Sequence, residues 1–380
     1  MSEAPWVLAN VGAEEGDAAG GSPPPAAAVV ARLFAALFAA PPVFPWLALG
    51  EGEAEAWLHT ADAARAAAAR GLRLVGAAPE VVARVHDKAF AQAAAEREGL
   101  VPAALAGLVA TLAPEELADA VAALAHVEAY AAALPAWIGG RFALKPRYGT
   151  SGRGRVAARA GALDREALRR ALPRLAARGG ALLEPWLERR ADYATQLHVP
   201  ASGPLTLLGT LEQVVTPAGQ PRGHRGVVDA RGRVTSGAEG DAALREAAVE
   251  VAEAARAEGY TGPCGVDAFA FAGPDGAPRL RPVVELNARF TLGTLALAAV
   301  RRALPELRER LGLAPGRSLP FFFGLAPPAG GWPLAGPAAG LVLPALAGSD
   351  ASGPALWVAP APELLDRALA VPPEGEGPLC

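Results

Sequence analysis

Residues 265–287 read GVDAFAFAGPDGAPRLRPVVELN, and this stretch decides the fold. Gly265 to Phe271 and Arg279 to Leu286 are rich in apolar residues, and residues 273–276 between them (GPDG) are typical of a turn. We therefore predict two adjacent antiparallel strands that belong to an α+β unit.

Three oxygen-bearing side chains fall on these two strands. Residues two apart in a strand share a face, so Glu285 and Asn287 point the same way, and Asp267 can join them across the strand pair. A buried acid is costly unless it is paired or bound to a metal, and Glu285 interrupts an apolar run. Such oxygen donors suit Mg²⁺ together with phosphate oxygens. The alternative is a pair of edge residues that face solvent.

Residues 145–154 read KPRYGTSGRG, within a hairpin that we predict over 142–158. Glycines such as Gly152 let backbone N–H groups face an anion, and the hydroxyls of Thr150 and Ser151 add donors. A lysine at the end of the strand supplies positive charge, so the segment suits the phosphates of a nucleotide. The alternative is an ordinary flexible hairpin loop.

Lysine is nearly absent from the chain. Lys88 and Lys145 are the only lysines, although 35 residues are Lys or Arg, and Asn10 and Asn287 are the only asparagines. Such depletion indicates nucleotide bias in the gene, under which arginine replaces lysine wherever a generic positive charge suffices. A surviving lysine therefore points to a site that requires a compact point charge. The alternative is survival by chance.

The segment 183–187 (LEPWL) is predicted to be extended, and Asp192 follows it closely. Its backbone groups could bond the edge of an adenine, and the carboxylate of Asp192 could accept from ribose hydroxyls. By itself the pattern is uninformative, and the alternative is a strand end with surface acids.

Taken in chain order, these pieces resemble the ATP-grasp superfamily of carboxylate-amine ligases, and locally the D-alanine:D-alanine ligases. The resemblance covers about residues 81–311 and rests on five ordered motifs: Asp87-Lys88, Lys145 with its glycine loop, residues 184–187, Asp267, and residues 285–287. It implies an α+β chain with the ATP-grasp fold, preceded by an N-terminal α/β domain.

The resemblance also implies roles for the motif residues. The phosphates of ATP would be contacted by Lys88, Lys145, Thr150, Ser151 and Gly152. The adenine would be contacted by Glu184, Trp186 and Leu187, and the ribose by Asp192. Two Mg²⁺ ions, with Mn²⁺ as the alternative ion, would be held by Asp267, Glu285 and Asn287.

Two arginines are candidates for catalysis beside Lys145. Arg289, two residues after Asn287, is placed to stabilise an acyl phosphate. Arg225, in the segment 221–226 (PRGHRG), could bind an acceptor carboxylate with its planar fork, and the alternative for it is a solvated basic turn. Gly265 stands where D-alanine ligases carry an arginine, so that contact is absent or supplied elsewhere.

The implied activity is an ADP-forming ligase. It would activate a carboxylate as an acyl phosphate and join it to an amine, with an amino acid or a peptide as a fitting acceptor. Two alternatives stay open: a biotin-carboxylase-like enzyme, and a non-catalytic ATP-binding interaction protein.

The composition limits the kinds of partner that we expect for this protein. A formal net charge of −4 with 19% charged residues argues against a nucleic-acid partner. The most apolar stretch, Ala26 to Ala40, contains Arg32 and is too short to cross a bilayer. The N-terminus lacks the pattern of a secretory signal, so we expect a cytoplasmic protein. The oligomeric state is open, and a homodimer is among the states allowed.

We predict four regions. They are an N-terminal α/β domain (1–80), a central subdomain with a helical lead-in and the glycine loop (81–190), a large subdomain with the metal site (191–312), and a Pro/Gly-rich C-terminal extension (313–380). Among the helices we predict three Ala-rich ones over 53–70, 81–98 and 114–134.

Overall fold

The computed structural model describes residues 5–13, 27–38, 41–149, 153–215, 221–310, 316–325 and 354–369. Thr150, Ser151 and Gly152, which we expected at the phosphates, lie outside the described residues.

The described chain alternates helices and strands. Its helices are α1 (Ala27–Leu37), α2 (Ala61–Ala68), α3 (Pro79–His86), α4 (Lys88–Arg97), α5 (Pro114–Ala118), α6 (Ala120–Ala133), α7 (Arg165–Ala177), α8 (Asp241–Ala257), α9 (Leu292–Arg310) and α10 (Pro362–Leu369). Its strands are β1 (Val7–Leu8), β2 (Glu53–Ala56), β3 (Arg73–Leu74), β4 (Ala110–Leu112), β5 (Arg141–Pro146), β6 (Val156–Arg159), β7 (Ala181–Pro185), β8 (Arg189–Val199), β9 (Thr206–Val215), β10 (Pro221–Val228), β11 (Val234–Thr235), β12 (Gly262–Ala272), β13 (Pro278–Asn287), β14 (Leu319–Gly324) and β15 (Ala355–Val358).

These strands form three sheets. The N-terminal sheet is parallel with the order β1-β2-β3, and a four-stranded antiparallel sheet has the order β4-β7-β5-β6. The largest sheet has eight strands in the order β13-β12-β8-β9-β11-β10-β14-β15, and β9 also pairs with β10. Two of its strands, β14 and β15, come from the region that we described from the sequence only as a Pro/Gly-rich extension.

Two of the predicted Ala-rich helices are each broken by an aspartate. At Asp87 the backbone is extended, and its side chain accepts a hydrogen bond from the Ala89 N–H at 2.9 Å, which caps α4. Asp119 separates α5 from α6 in the same way, accepting from Val121 and Ala122. Because a single capping residue does not interrupt an Ala-rich pattern, the sequence predicted one helix in each place.

The helix predicted over 53–70 is wrong in its first part. Glu53–Ala56 is strand β2, which pairs in parallel with β1 on one side and β3 on the other. Alanine and glutamate favour a helix in isolation, but the central position in the sheet buries this segment and overrides that preference. Only Ala61–Ala68 is helical, and Thr60 caps it.

The sheets and helices pack around two hydrophobic cores. The larger one packs α8 and α9 against the eight-stranded sheet and includes Phe34 of α1 and Trp57 after β2, so the N-terminal unit shares it. The smaller one packs α6 and α7 on the four-stranded sheet. Across the part of the chain described here, no helix combines the length and the apolarity that a membrane span requires.

Candidate active site

Side chains from both larger sheets meet where β13 passes the four-stranded sheet and the start of α4. Two ion pairs cross this junction: Lys88 Nζ lies 3.3 Å from Glu285 Oε2, and Arg281 Nη1 lies 3.1 Å from Glu184 Oε2. All four side chains are largely shielded from solvent. The junction therefore gathers charges that would be costly to bury singly.

The predicted oxygen donors lie together on the β12–β13 pair. Asp267 stands opposite Glu285 and Gly265 stands opposite Asn287, so the three side chains share one face. Asn287 Nδ2 donates to Asp267 Oδ2 at 3.1 Å, and Gln213 Nε2 of β9 donates to Asp267 Oδ1 at 2.8 Å.

The electrostatics of this pair fit a divalent cation. Burial and the negative charge of Glu285 raise the pKa of Asp267 well above its usual range. Burial alone would raise the pKa of Glu285 as well, but the charges of Lys88 and Lys145 outweigh it and hold that pKa at about 2. A proton held between two buried carboxyl groups occupies a position that a hard cation such as Mg²⁺ can take instead. Within the described ranges no group of three or more His, Cys, Asp and Glu side chains is arranged to hold a metal ion, and the donor set here consists of two carboxyl groups and an amide.

The break in the helix at Asp87, directly before α4, positions Lys88 beside this cluster. It is the first residue of that helix, and its Nζ also donates to the Gly149 carbonyl at 2.7 Å, at the edge of the glycine loop. Asp87 fixes the same loop from the other side through an ion pair with Arg147. A cation at a helix N-terminus is opposed by the helix dipole, and the carboxylate of Glu285 compensates for this.

Lys145 and Glu184 form a second charged cluster on neighbouring strands β5 and β7. The Lys145 ammonium pairs with Glu184 Oε1, and Arg281 of β13 holds the other oxygen. Burial alone would raise the pKa of Glu184, but the charges of Lys145 and Arg281 hold it at about 2. Arg281 Nη2 also donates to Gln92 Oε1 of α4 at 3.2 Å.

The remaining residues expected at the base and ribose lie along the same junction. Leu187 packs with Phe269 and Phe271 in an apolar cluster between the two sheets. Trp186 is partly exposed, and the guanidinium of Arg155 stacks 4.3 Å from the centre of its ring.

Asp192, on β8, shares the face of the β12–β13 acids. It is in register with Phe269 on one side and Gln213 on the other. Its carboxylate accepts from Arg189 at 2.6 Å.

Arg289 follows the donor set directly and is buried. Its Nη2 lies 3.3 Å from Asn287 Oδ1, and its Nη1 donates to the Phe290 carbonyl at 2.8 Å. Arg289 also lines a small pocket together with Glu55 and Trp57 of the N-terminal unit. The geometry thus places a guanidinium between the predicted metal ligands and this pocket.

Arg225 is not brought to this site. Its guanidinium pairs with Glu212 at 2.7 Å and with Asp366 of α10 at 3.3 Å. Asp267 aligns through β8 with Leu211, whereas Arg225 aligns with Glu212, one residue further along β9. Successive strand residues face opposite sides of a sheet, so Arg225 points away from the acids. Spacing in the sequence did not reveal which face this strand would present.

Gln196 occupies the space beside Gly265. A side-chain carbon on Gly265 would come within 2.9 Å of Gln196 Oε1, so the two residues fit only together. Gln196 is buried and accepts from Thr291 Oγ1 at 2.5 Å, and Thr291 in turn accepts from the N–H of Thr294 near the start of α9. Where D-alanine ligases carry an arginine, this chain thus has a glycine covered by a glutamine from β8.

Three further residues at the site were missed from the sequence: Gln213, His224 and Arg281. Gln213 and His224 are cross-strand neighbours on the face of the acids. His224 is buried with its Nδ1 unpartnered within the described chain, and burial lowers its pKa to about 4. Arg281 lies four residues before Glu285, so the two-residue strand period could have placed it on that face.

Comparisons with known proteins locate the fold. No family model matches the chain, and no curated protein is significantly similar to it. The biotin carboxylase domain of Hydrogenobacter thermophilus 2-oxoglutarate carboxylase, solved with MgADP and bicarbonate, superimposes with a TM-score of 0.51 at 16% identity, covering 83% of this chain and 72% of its own. N5-carboxyaminoimidazole synthetase from Staphylococcus aureus gives a TM-score of 0.51 at 10% identity, covering 85% of this chain and 81% of its own. With its four-stranded and eight-stranded sheets meeting at one charged junction, the chain has the ATP-grasp fold, as its sequence motifs predicted.

Proposed function

We propose that this protein is an ATP-dependent ligase that activates a carboxylate as an acyl phosphate and joins it to an amine, releasing ADP and phosphate. The observation that supports it most is that both lysines form ion pairs with buried glutamates at one junction, Lys88 with Glu285 of β13 and Lys145 with Glu184 of β7. Lys88 and Lys145, the only lysines of the chain, are 57 positions apart, and the charges of both act on Glu285.

In this proposal the two charged clusters line the binding site of one nucleotide. Lys88 and Lys145 bind phosphate oxygens as compact cations, and the glycine loop supplies further hydrogen-bond donors. Glu184, Trp186 and Leu187 contact the adenine, and Asp192 accepts from the ribose. Asp267, Glu285 and Asn287 would hold Mg²⁺, with two ions expected and Mn²⁺ as the alternative. Bound there, the ion would neutralise charge on the triphosphate during phosphoryl transfer.

The chain's own residues carry the remaining steps. Arg289 binds the substrate carboxylate beside Asn287 and then balances the charge of the acyl phosphate. Water has to be kept from the site, because it would otherwise hydrolyse the intermediate before the amine attacks.

A second candidate is an enzyme that uses bicarbonate as its carboxylate. The structural neighbour from Hydrogenobacter thermophilus was solved with bicarbonate bound, which makes this small acid a substrate to test first. Phosphate release that requires bicarbonate and a biotinylated acceptor would favour this reading over amide formation. ATP binding without turnover in any acceptor screen would instead favour a non-catalytic ATP-binding protein.

The experiment is a phosphate-release screen over pairs of small carboxylic acids and amines, with MgATP present. Hydroxylamine replaces the amine in one arm, because it traps an acyl phosphate as a stable hydroxamate. Glu285→Ala serves as the blank, and Glu250→Ala, an exposed acid on α8, serves as the matched control. We expect hydroxamate with wild type and the control but not with the blank. ADP formation that is equal in wild type and Glu285→Ala would contradict the proposal.

A further inference from the structure

Arg281 is a buried arginine that connects three parts of the junction. It is 4% exposed, and its two terminal nitrogens bond Glu184 Oε2 of β7 at 3.1 Å and Gln92 Oε1 of α4 at 3.2 Å. Its Nε donates to the Val283 carbonyl on its own strand at 3.3 Å. These contacts leave the guanidinium one orientation, with its charge directed at Glu184.

The consequence concerns the protonation state of Glu184. A buried lysine and carboxylate facing each other alone can remove both charges by sharing one proton, which avoids the cost of burying ions. Arginine does not lose its proton in proteins, so the cation at Glu184 Oε2 persists whatever the state of Lys145. With Arg281 in place, Glu184 stays an anion that accepts hydrogen bonds and donates none.

We infer that Arg281 determines the nucleobase preference of the site by holding Glu184 as an acceptor that selects a base with an exocyclic amino group. The inference rests on the proposed function, which places Glu184 against the base. A carboxylate oxygen has two lone pairs, so an oxygen bonded to one cation can still accept from a 6-amino group. A 6-oxo group would instead bring a lone pair against the anion. Arg281 acts through Glu184, and is therefore a positioning residue.

The test compares two nucleotides that differ in this group. MgATP carries a 6-amino purine and magnesium inosine triphosphate a 6-oxo purine, and isothermal titration calorimetry gives the dissociation constant of each for every variant. Wild type should bind ATP at least about tenfold more tightly, because the oxo group leaves a buried acceptor unpaired. Arg281→Met should reduce that ratio at least about threefold.

Matched variants separate this effect from general damage. Arg279→Met removes an exposed arginine of the same strand and should keep the wild-type ratio. Glu184→Gln turns an acceptor-only group into one that can also donate, so it should improve binding of the inosine nucleotide relative to ATP. Arg281→Lys restores a cation and should recover part of the preference.

Each outcome of these measurements either supports or overturns the inference. An unchanged ATP-to-inosine ratio in a folded Arg281→Met protein overturns it, while ATP binding itself leaves the proposed function standing. If Arg281→Met does not fold, Glu184→Gln decides, and an unchanged ratio there overturns the inference equally. Failure of wild type to bind either nucleotide overturns the proposed function and this inference together.

Discussion

Strand β13 contributes to two buried charge clusters that are built in opposite ways. Around Glu285, two buried carboxyl groups lie side by side and Lys88 pairs with only one of them, so the pKa of Asp267 is raised. Around Glu184, one carboxylate is held between a lysine and an arginine. The first cluster has an excess of acid and suits an added cation. The second satisfies its carboxylate with the protein's own groups.

The Glu184 cluster is therefore complete in the protein alone, whereas the Glu285 cluster is completed by a bound cation. Arg281 and Glu285 lie four residues apart on one strand, so a single element positions both clusters. At the Glu184 cluster, removing the anion leaves buried cations without compensation. At the Glu285 cluster, removing one acid relieves repulsion. The same kind of substitution should therefore have opposite consequences for stability.

The largest effect is expected for Glu184→Ala. It leaves Lys145 and Arg281 buried without their shared anion, and breaking a buried pair in this way costs about 3–5 kcal/mol. Urea unfolding followed by circular dichroism measures the free energy of unfolding. Glu188→Ala, an exposed glutamate four residues further on, should change it by less than about 0.5 kcal/mol. Equal stability of the two variants would mean that the Glu184 cluster does not hold the junction together.

The next effect concerns catalysis at the other cluster. Asp267→Asn keeps the shape of the side chain but removes a charged donor from the group that would hold Mg²⁺. We expect hydroxamate formation to fall at least about a hundredfold, comparable to the loss of a main electrostatic contact to a reacting group. Glu250→Ala is again the control. Wild-type turnover by Asp267→Asn would exclude this aspartate as a metal ligand.

The sequence was sufficient for the parts of this site that depend on local pattern. The β12–β13 hairpin, the Asp267–Glu285 register and the Lys145 strand follow from alternation and turn residues, and the structure confirms them. The order of the motifs also predicted the ATP-grasp fold. Each of these features is set by residues close in the chain or by a strand pair with a short turn.

The parts that escaped prediction depend on long-range packing. Arg281 becomes informative only when β7 and α4 bring Glu184 and Gln92 to it, and neither is near in sequence. Arg225 was expected at the site because its segment is basic, but the cross-strand register places it on the other face. The role of Gln196 required knowing that it packs on Gly265.

A third prediction tests the contrast between the two clusters through stability, without measuring turnover. In protein free of divalent ions, Asp267→Asn should be as stable as wild type or more stable, because it removes a carboxyl group crowded against Glu285. With MgATP at a hundredfold excess over its dissociation constant, wild type should gain about 2.7 kcal/mol from binding. The variant should gain clearly less. Thermal melts in EDTA and in MgATP give both comparisons, and a variant that gains as much as wild type would contradict the assignment.

The smallest effect is a pH dependence that belongs to the Glu184 cluster. Burial lowers the pKa of Lys145 from its usual 10.5, and the charge of Glu184 opposes this without reversing it. Lysine is charged below its pKa, so a rise in pH through that lowered value removes the cation and weakens its contact with a phosphate. We therefore expect ATP affinity to fall as the pH rises toward 10.5, because a growing share of the protein then lacks this charge. Lys145→Arg keeps its charge throughout and should give a flat profile, so an equal fall in that variant would assign the titration to another group.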